Sequence, residues 1–99
     1  MMQELLVILQ EGFDADEVAL TVNGKEARRD RDVTTRMLLG MAEEVSVELP
    51  AKGATIGVEV PSRKLSASMK LHGKPKSLLV SIENGELVLR EGTGREAFL

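Results

Sequence analysis

Apolar and polar residues alternate along most of this chain with a period of two. Val45-Ser46-Val47-Glu48-Leu49, Ile56-Gly57-Val58-Glu59-Val60 and Leu65-Ser66-Ala67-Ser68-Met69-Lys70-Leu71 all follow it. Val18-Ala19-Leu20-Thr21-Val22 fits the same template, with Ala19 and Thr21 facing out. Successive strand side chains point to opposite faces, so each segment predicts a strand with one dry side and one wet side. Leu5–Leu9 is different, because it is apolar on both parities. It predicts a strand buried on both faces, or one whose second face is covered by another subunit.

Turn chemistry divides these segments. Asn23-Gly24 and Asn84-Gly85 each follow a strand pattern. Asn-Gly tolerates the positive φ angles of a type I′ turn, so both predict hairpins. In SLLVSIENGELVLR, Leu78, Val80 and Ile82 share one face, with Leu87 and Leu89 across the turn. Pro50 closes one strand, and Ala51-Lys52-Gly53 turns into the next, which Pro61 stops at Val60. Lys74-Pro75 separates the strand ending at Leu71 from the last hairpin.

Only residues 32–44, DVTTRMLLGMAEE, suggest helix, with Met37, Leu38 and Met41 as an apolar stripe. Val33, Thr34 and Thr35 are β-branched and Gly40 weakens a helix, so the expectation is a short strand and a tight crossover over the sandwich end. One helical turn is the alternative. From Glu91 onward the alternation is lost.

Seven or eight short strands predict an all-β domain, a single-domain antiparallel β-sandwich, immunoglobulin-like or prealbumin-like. Its expected span is residues 1–90, with 91–99 a C-terminal tail, loose or docked. The expected core is Leu5, Val7, Leu9, Val18, Leu20, Val22, Val45, Val47, Leu49, Ile56, Val58, Val60, Leu65, Met69, Leu78, Val80, Ile82, Leu87 and Leu89.

The succession VALTVNGKEA (18–27) and LPAKGATIGVEV (49–60) resembles PEGA and carboxypeptidase-regulatory-like modules, small prealbumin-type sandwiches. The resemblance covers residues 17–71 and implies a non-catalytic accessory or adhesion role. It carries over no functional residue.

Composition narrows the chemistry. The 99 residues hold one domain and no cysteine, which removes disulfides and thiolate metal sites. There is no Trp or Tyr, and Phe13 and Phe98 are the only aromatics, so the core is aliphatic. Stacking platforms for single-stranded nucleic acid are therefore missing, as are flat aromatic faces for sugars and aromatic grooves for proline-rich peptides. The apolar run Leu5–Leu9 is flanked by Glu4 and Glu11 and is too short to span a bilayer or to serve as a secretory signal. A cytoplasmic location without membrane insertion is the expectation.

Charge is unevenly spread. Residues 1–50 carry five Lys/Arg against eleven Asp/Glu, and residues 51–99 carry eight against five. Within 61–76, PSRKLSASMKLHGKPK, the cations Arg63, Lys64, Lys70, Lys74 and Lys76 gather around His72, the one histidine, without a carboxylate. On a strand, Lys64 and Lys70 flank Ser66 and Ser68 on the wet face. Such lysines discourage edge-to-edge pairing, or steer an anionic partner. With a net charge of −3 the chain is not expected to bind nucleic acid.

Catalysis is poorly supplied. Nucleophilic hydrolysis needs a hydroxyl or thiol beside an oriented base, and the lone imidazole sits in a turn among lysines. No GxSxG, HExxH, P-loop or GxGxxG occurs. Asp14, Asp16 and Glu17 gather carboxylates at a loop, and Asp30-Arg31-Asp32 offers two more, which suits a calcium ion only if loops converge. The competing reading is solvated turns with mutual salt bridges. No enzyme, cofactor or resident metal is expected.

The terminal Ala97-Phe98-Leu99 is apolar, so Phe98 and Leu99 either dock on their own sandwich or enter a partner's groove. The expected function is a non-enzymatic protein-binding or assembly module acting through a strand edge or sheet face. Its candidate binding residues are Lys64, Lys70, His72, Lys74, Lys76, Phe98 and Leu99, and its partner is a protein, including a second copy of the chain. A calcium- or anion-dependent binding domain is the alternative.

Overall fold

The structure, a computed structural model, describes residues 2–35 and 43–93. Eight strands run in chain order: β1 (Met2–Leu9), β2 (Asp16–Val22), β3 (Lys25–Val33), β4 (Glu43–Pro50), β5 (Gly53–Val60), β6 (Leu65–His72), β7 (Ser77–Glu83) and β8 (Glu86–Gly92). They form two four-stranded sheets, ordered β4-β1-β7-β8 and β3-β2-β5-β6. The two sheets enclose one core, aliphatic apart from Phe13, to which seven strands contribute alternate residues and β3 only its last, Val33. At the sides of the sandwich β6 lies next to β8, and β3 next to β4.

The expected all-antiparallel arrangement needs one correction. β1 pairs antiparallel with β4 but parallel with β7, from Leu6↔Ser77 to Leu9↔Val80. Parallel neighbours cannot be joined by a tight turn, and here the whole intervening chain serves as the connection. Turn chemistry predicts only the partners on either side of a turn, so this pairing had no local signal.

Both Asn-Gly hairpins form as the turn residues dictate. Asn23, Gly24, Asn84 and Gly85 all have positive φ, at 51°, 87°, 53° and 77°. A type I′ turn requires that at both central positions. β5 ends at Val60 before Pro61, and a short 3-10 turn over Pro61–Arg63 leads to Lys64 in the left-handed conformation.

The expected inward positions of β1, β4, β5 and β7 are buried, and so are Val18 and Leu20. Val22, Leu65, Met69, Leu87 and Leu89 are only half-buried against that core. Ala19, expected outside, is 1% exposed. It pairs with Arg29 and Glu59, and the Arg29 guanidinium crosses to Glu17, two residues from Ala19 on the same parity. Long charged stems cover a small side chain while their heads stay wet.

Ile8, on the outer parity of β1, is buried within the single chain, and Leu6 is half-buried. Of the two explanations for the two-sided strand, a covering subunit is therefore unnecessary at Ile8. Phe13 and Val33 join the core at the sandwich end. Thr35 ties that end together: its hydroxyl accepts from the Phe13 N–H (3.0 Å) and donates to the Gln10 carbonyl (2.7 Å).

Two boundaries shift. Glu91 and Gly92 belong to β8, opposite Leu78 and Ser77, so the strand continues past residue 90. Residues 28–32 lie in edge strand β3 and not in a solvated turn. Of the segment 32–44, for which a short strand and crossover or one helical turn is expected, residues 36–42 lie outside the described residues, as do Phe98 and Leu99.

Candidate functional site

The carboxylate cluster is built for structure. Asp16, which opens β2, is 3% exposed. The Arg63 guanidinium grips it, with Nε 2.9 Å from Oδ1 and a terminal nitrogen 2.9 Å from Oδ2. The Asp14 backbone N–H donates to Oδ2 at 2.8 Å, and the Ser62 hydroxyl to Oδ1 at 3.3 Å. Burial alone would raise this carboxyl's pKa, but the Arg63 guanidinium and the Asp14 N–H outweigh it, and the pKa lies below its ordinary value. Glu17 is engaged by Arg29 and Arg31. Among the described residues no three potential metal ligands come together. The three candidates Asp14, Asp16 and Glu17 are thus not aimed at a common point, and the calcium alternative gains no support from their geometry.

The basic residues are spread along one side. Lys70 and His72 are exposed on the outward parity of β6, opposite Thr55 and Gly53, while Lys64 sits in the left-handed turn before the strand. Lys74 and Lys76 are exposed in the connection to β7, on either side of buried Pro75. On the same outer face, Thr21, Gly57, Glu59, Ser66 and Ser68 floor a shallow depression of about 340 Å³. Among the described residues Glu59 is the only titratable group lining it, so these residues bring no acid and base together on a reacting atom.

The sides of the sandwich contrast more sharply. β3 is charged at seven of nine positions, KEARRDRDV, and its ladder with β2 is broken by two register shifts. Arg28 pairs with Asp30 at 2.8 Å, and Arg29 with Glu26 at 2.6 Å and with Glu17. The Asp30 carboxylate holds Arg28, and the Glu26 and Glu17 carboxylates hold Arg29, each more firmly protonated than usual. Charges and bulges on an edge are devices that prevent a further strand from adding. β4 shows Glu44, Ser46 and Glu48 outward and ends at Pro50. Burial, then the Asp30 carboxylate, raises the pKa of Glu43 at its start.

The opposite side is open. β6 runs in unbroken register with β5 over eight pairs, and β8 with β7 over seven. Between these two edges Leu65, Ala67, Met69, Leu87 and Leu89 are half-buried, and Val88 is half-buried on the outer face. Among the described residues, two regular edge strands to which no further strand is paired thus border an apolar seam. Sequence reasoning placed Leu65, Met69, Leu87 and Leu89 in the sealed core. Their half-exposure could not be read from alternation, which reports a strand's dry face but not whether the strand lies at the margin of its sheet.

No helix among the described residues is long and apolar enough to cross a membrane. Comparisons with protein-family models, with curated proteins and with solved structures give no match.

Proposed function

We propose that this domain is a non-enzymatic protein-binding or assembly module that works through its open β6–β8 side. The observation that carries the reading is the half-exposed seam of Leu65, Met69, Leu87 and Leu89 between two uninterrupted edge strands. A strand added to either edge gains main-chain hydrogen bonds, while the seam supplies apolar burial. Lys70 of β6, with Lys64 before the strand and Lys74 and Lys76 after it, favours an approaching anionic segment through long-range attraction. Hairpin β2–β3 stays within one sheet, whereas the immunoglobulin arrangement separates its B and C strands between sheets. That connectivity supports the prealbumin-type side of the resemblance and, with it, an accessory role.

Photo-crosslinking in the native cells tests the reading. A photoreactive residue at position 88 or 68 should give protein adducts, and one at position 31 on β3 should give few. Equal labelling at all three positions, or labelling confined to position 31, would overturn it.

A further inference from the structure

We infer that the partner at β8 is a second copy of this chain, joined edge to edge in one antiparallel register centred on Val88. The inference rests on the edge-docking reading above and narrows it to a self-assembly surface. Two independent features of β8 select it: the phase of its backbone and the order of its side chains.

The phase follows from the hairpin. Asn84-Gly85 forms a two-residue turn closed by Glu83 and Glu86, which form a hydrogen-bonded pair. Hydrogen-bonded and non-hydrogen-bonded pairs alternate along an antiparallel ladder. Val88 and Arg90 therefore direct their main-chain groups toward β7, and Leu87 and Leu89 direct theirs to the open side. The far side of β7 agrees with this phase. The Ile82 N–H donates to the Glu11 carbonyl (2.8 Å), and the Val80 carbonyl accepts from the Gln10 N–H (2.7 Å). Both groups belong to residues paired with Leu87 and Leu89.

Side-chain order then picks the register. A two-fold axis at Leu89 would set Leu87 opposite Glu91 and Val88 opposite Arg90, and an axis at Arg90 would set that cation against itself. An axis at Val88 sets Leu87 opposite Leu89 twice, Val88 opposite Val88, and Glu86 opposite Arg90 twice. In ELVLR every opposed pair is then apolar with apolar or anion with cation. The outward main-chain groups of Leu87 and Leu89 meet at the same time, closing four hydrogen bonds. Glu86 is exposed and has no ion pair among the described residues, and Arg90 reaches only Glu83, at 3.1 Å on the surface.

The other edges lack this self-complementarity. β6 presents Lys70 among its outward residues and no carboxylate, and β4 presents Glu44 and Glu48 and no cation. β3 is already closed by its own ion pairs and register shifts. Pairing through β8 gives an isologous dimer with a continuous eight-stranded sheet, β4-β1-β7-β8 followed by its two-fold mate.

Sedimentation of the full chain over micromolar to millimolar concentrations should show a reversible dimer. Glu86→Lys alone brings two cations together at each end of the pairing, and Arg90→Glu alone brings two carboxylates together. Each should therefore weaken self-association by about tenfold or more. Mixed, the two variants are complementary at both ends, one end keeping the original Arg90–Glu86 pair and the other carrying its charge-reversed form, and should recover association relative to either variant alone. Val88→Cys, the only thiol in the chain, should oxidise to a covalent dimer several-fold faster than Ser46→Cys on β4. A wild-type chain that stays monomeric at millimolar concentration overturns the inference. So does a dimer indifferent to both charge changes, or equal oxidation rates at positions 88 and 46. Crosslinks from position 88 to a different protein, beside a monomeric wild type, would sink the self-assembly while leaving the edge reading intact.

Discussion

Removing Arg63 should cost more than removing the acid it binds. The Asp16 side chain is 4% exposed and its Arg63 partner 36%, so the two halves of the ion pair differ in how easily they return to water. In Arg63→Met the carboxylate keeps only the Asp14 N–H and the Ser62 hydroxyl, and it stays buried with its charge uncompensated. Breaking a buried pair in that way costs about 3–4 kcal/mol. In Asp16→Asn the exposed guanidinium rehydrates and the loss is one charged hydrogen-bond set, about 1.5–2 kcal/mol.

The pH dependence has a definite sign. In the wild type the folded pKa of Asp16 is depressed, so its contribution is complete above the unfolded value of about 3.9 and is lost as pH falls through the folded value. In Arg63→Met burial is opposed only weakly and the folded pKa rises. The variant's deficit should therefore be largest at neutral pH and shrink below about pH 4. Urea unfolding followed by far-UV circular dichroism suits a chain without Trp or Tyr. With a slope of about 1.5 kcal/mol/M, a loss of about 3 kcal/mol lowers the midpoint by about 2 M. A larger loss for Asp16→Asn than for Arg63→Met, or a deficit that does not change with pH, would refute the reasoning.

Three further perturbations separate local from tertiary causes. Gly53→Ala would place its Cβ 2.1 Å from the Leu71 carbonyl oxygen at φ 103°, whereas Gly85→Ala meets nothing within 4 Å at φ 77°. The first should cost about 3 kcal/mol or more and the second about 1–2 kcal/mol, compared by thermal melting. Thr35→Val removes the acceptor of the Phe13 N–H and the donor to the Gln10 carbonyl, and should cost about 2 kcal/mol, with faster hydrogen exchange at the Phe13 amide. Leu78→Ala, at a fully buried site, should cost about 3–4 kcal/mol, while Leu89→Ala at the half-buried seam should cost less than half as much in urea titrations.

Much of the fold was legible because strands and turns leave local marks. Val45–Leu49 and Ile56–Val60 alternate so regularly that their buried faces follow residue by residue. The positive φ at Asn84 and Gly85 follows from the two residues themselves. The candidate site was less legible. Asp16 reads as a loop carboxylate until Arg63, distant in sequence, arrives beside it. Asp30-Arg31-Asp32 reads as a solvated turn because charges on both parities hide how far the strand after Asn23-Gly24 extends, although its neighbour β2 holds it in place to Val33.

What the chain determines by itself is whatever depends on neighbours a few residues away: the period-two faces, the Asn-Gly hairpins, the proline stops and an interior without aromatic stacking. What only the tertiary structure decided is which strands lie side by side across long separations. That choice made β1 parallel to β7, committed Asp16 to Arg63, and put β6 and β8 at an open margin while charges closed β3. The reason is physical. Main-chain hydrogen bonding is the same for every residue, so pairing between distant strands is selected by the collective burial of the aliphatic faces and by turn geometry, and no short stretch of residues encodes that sum.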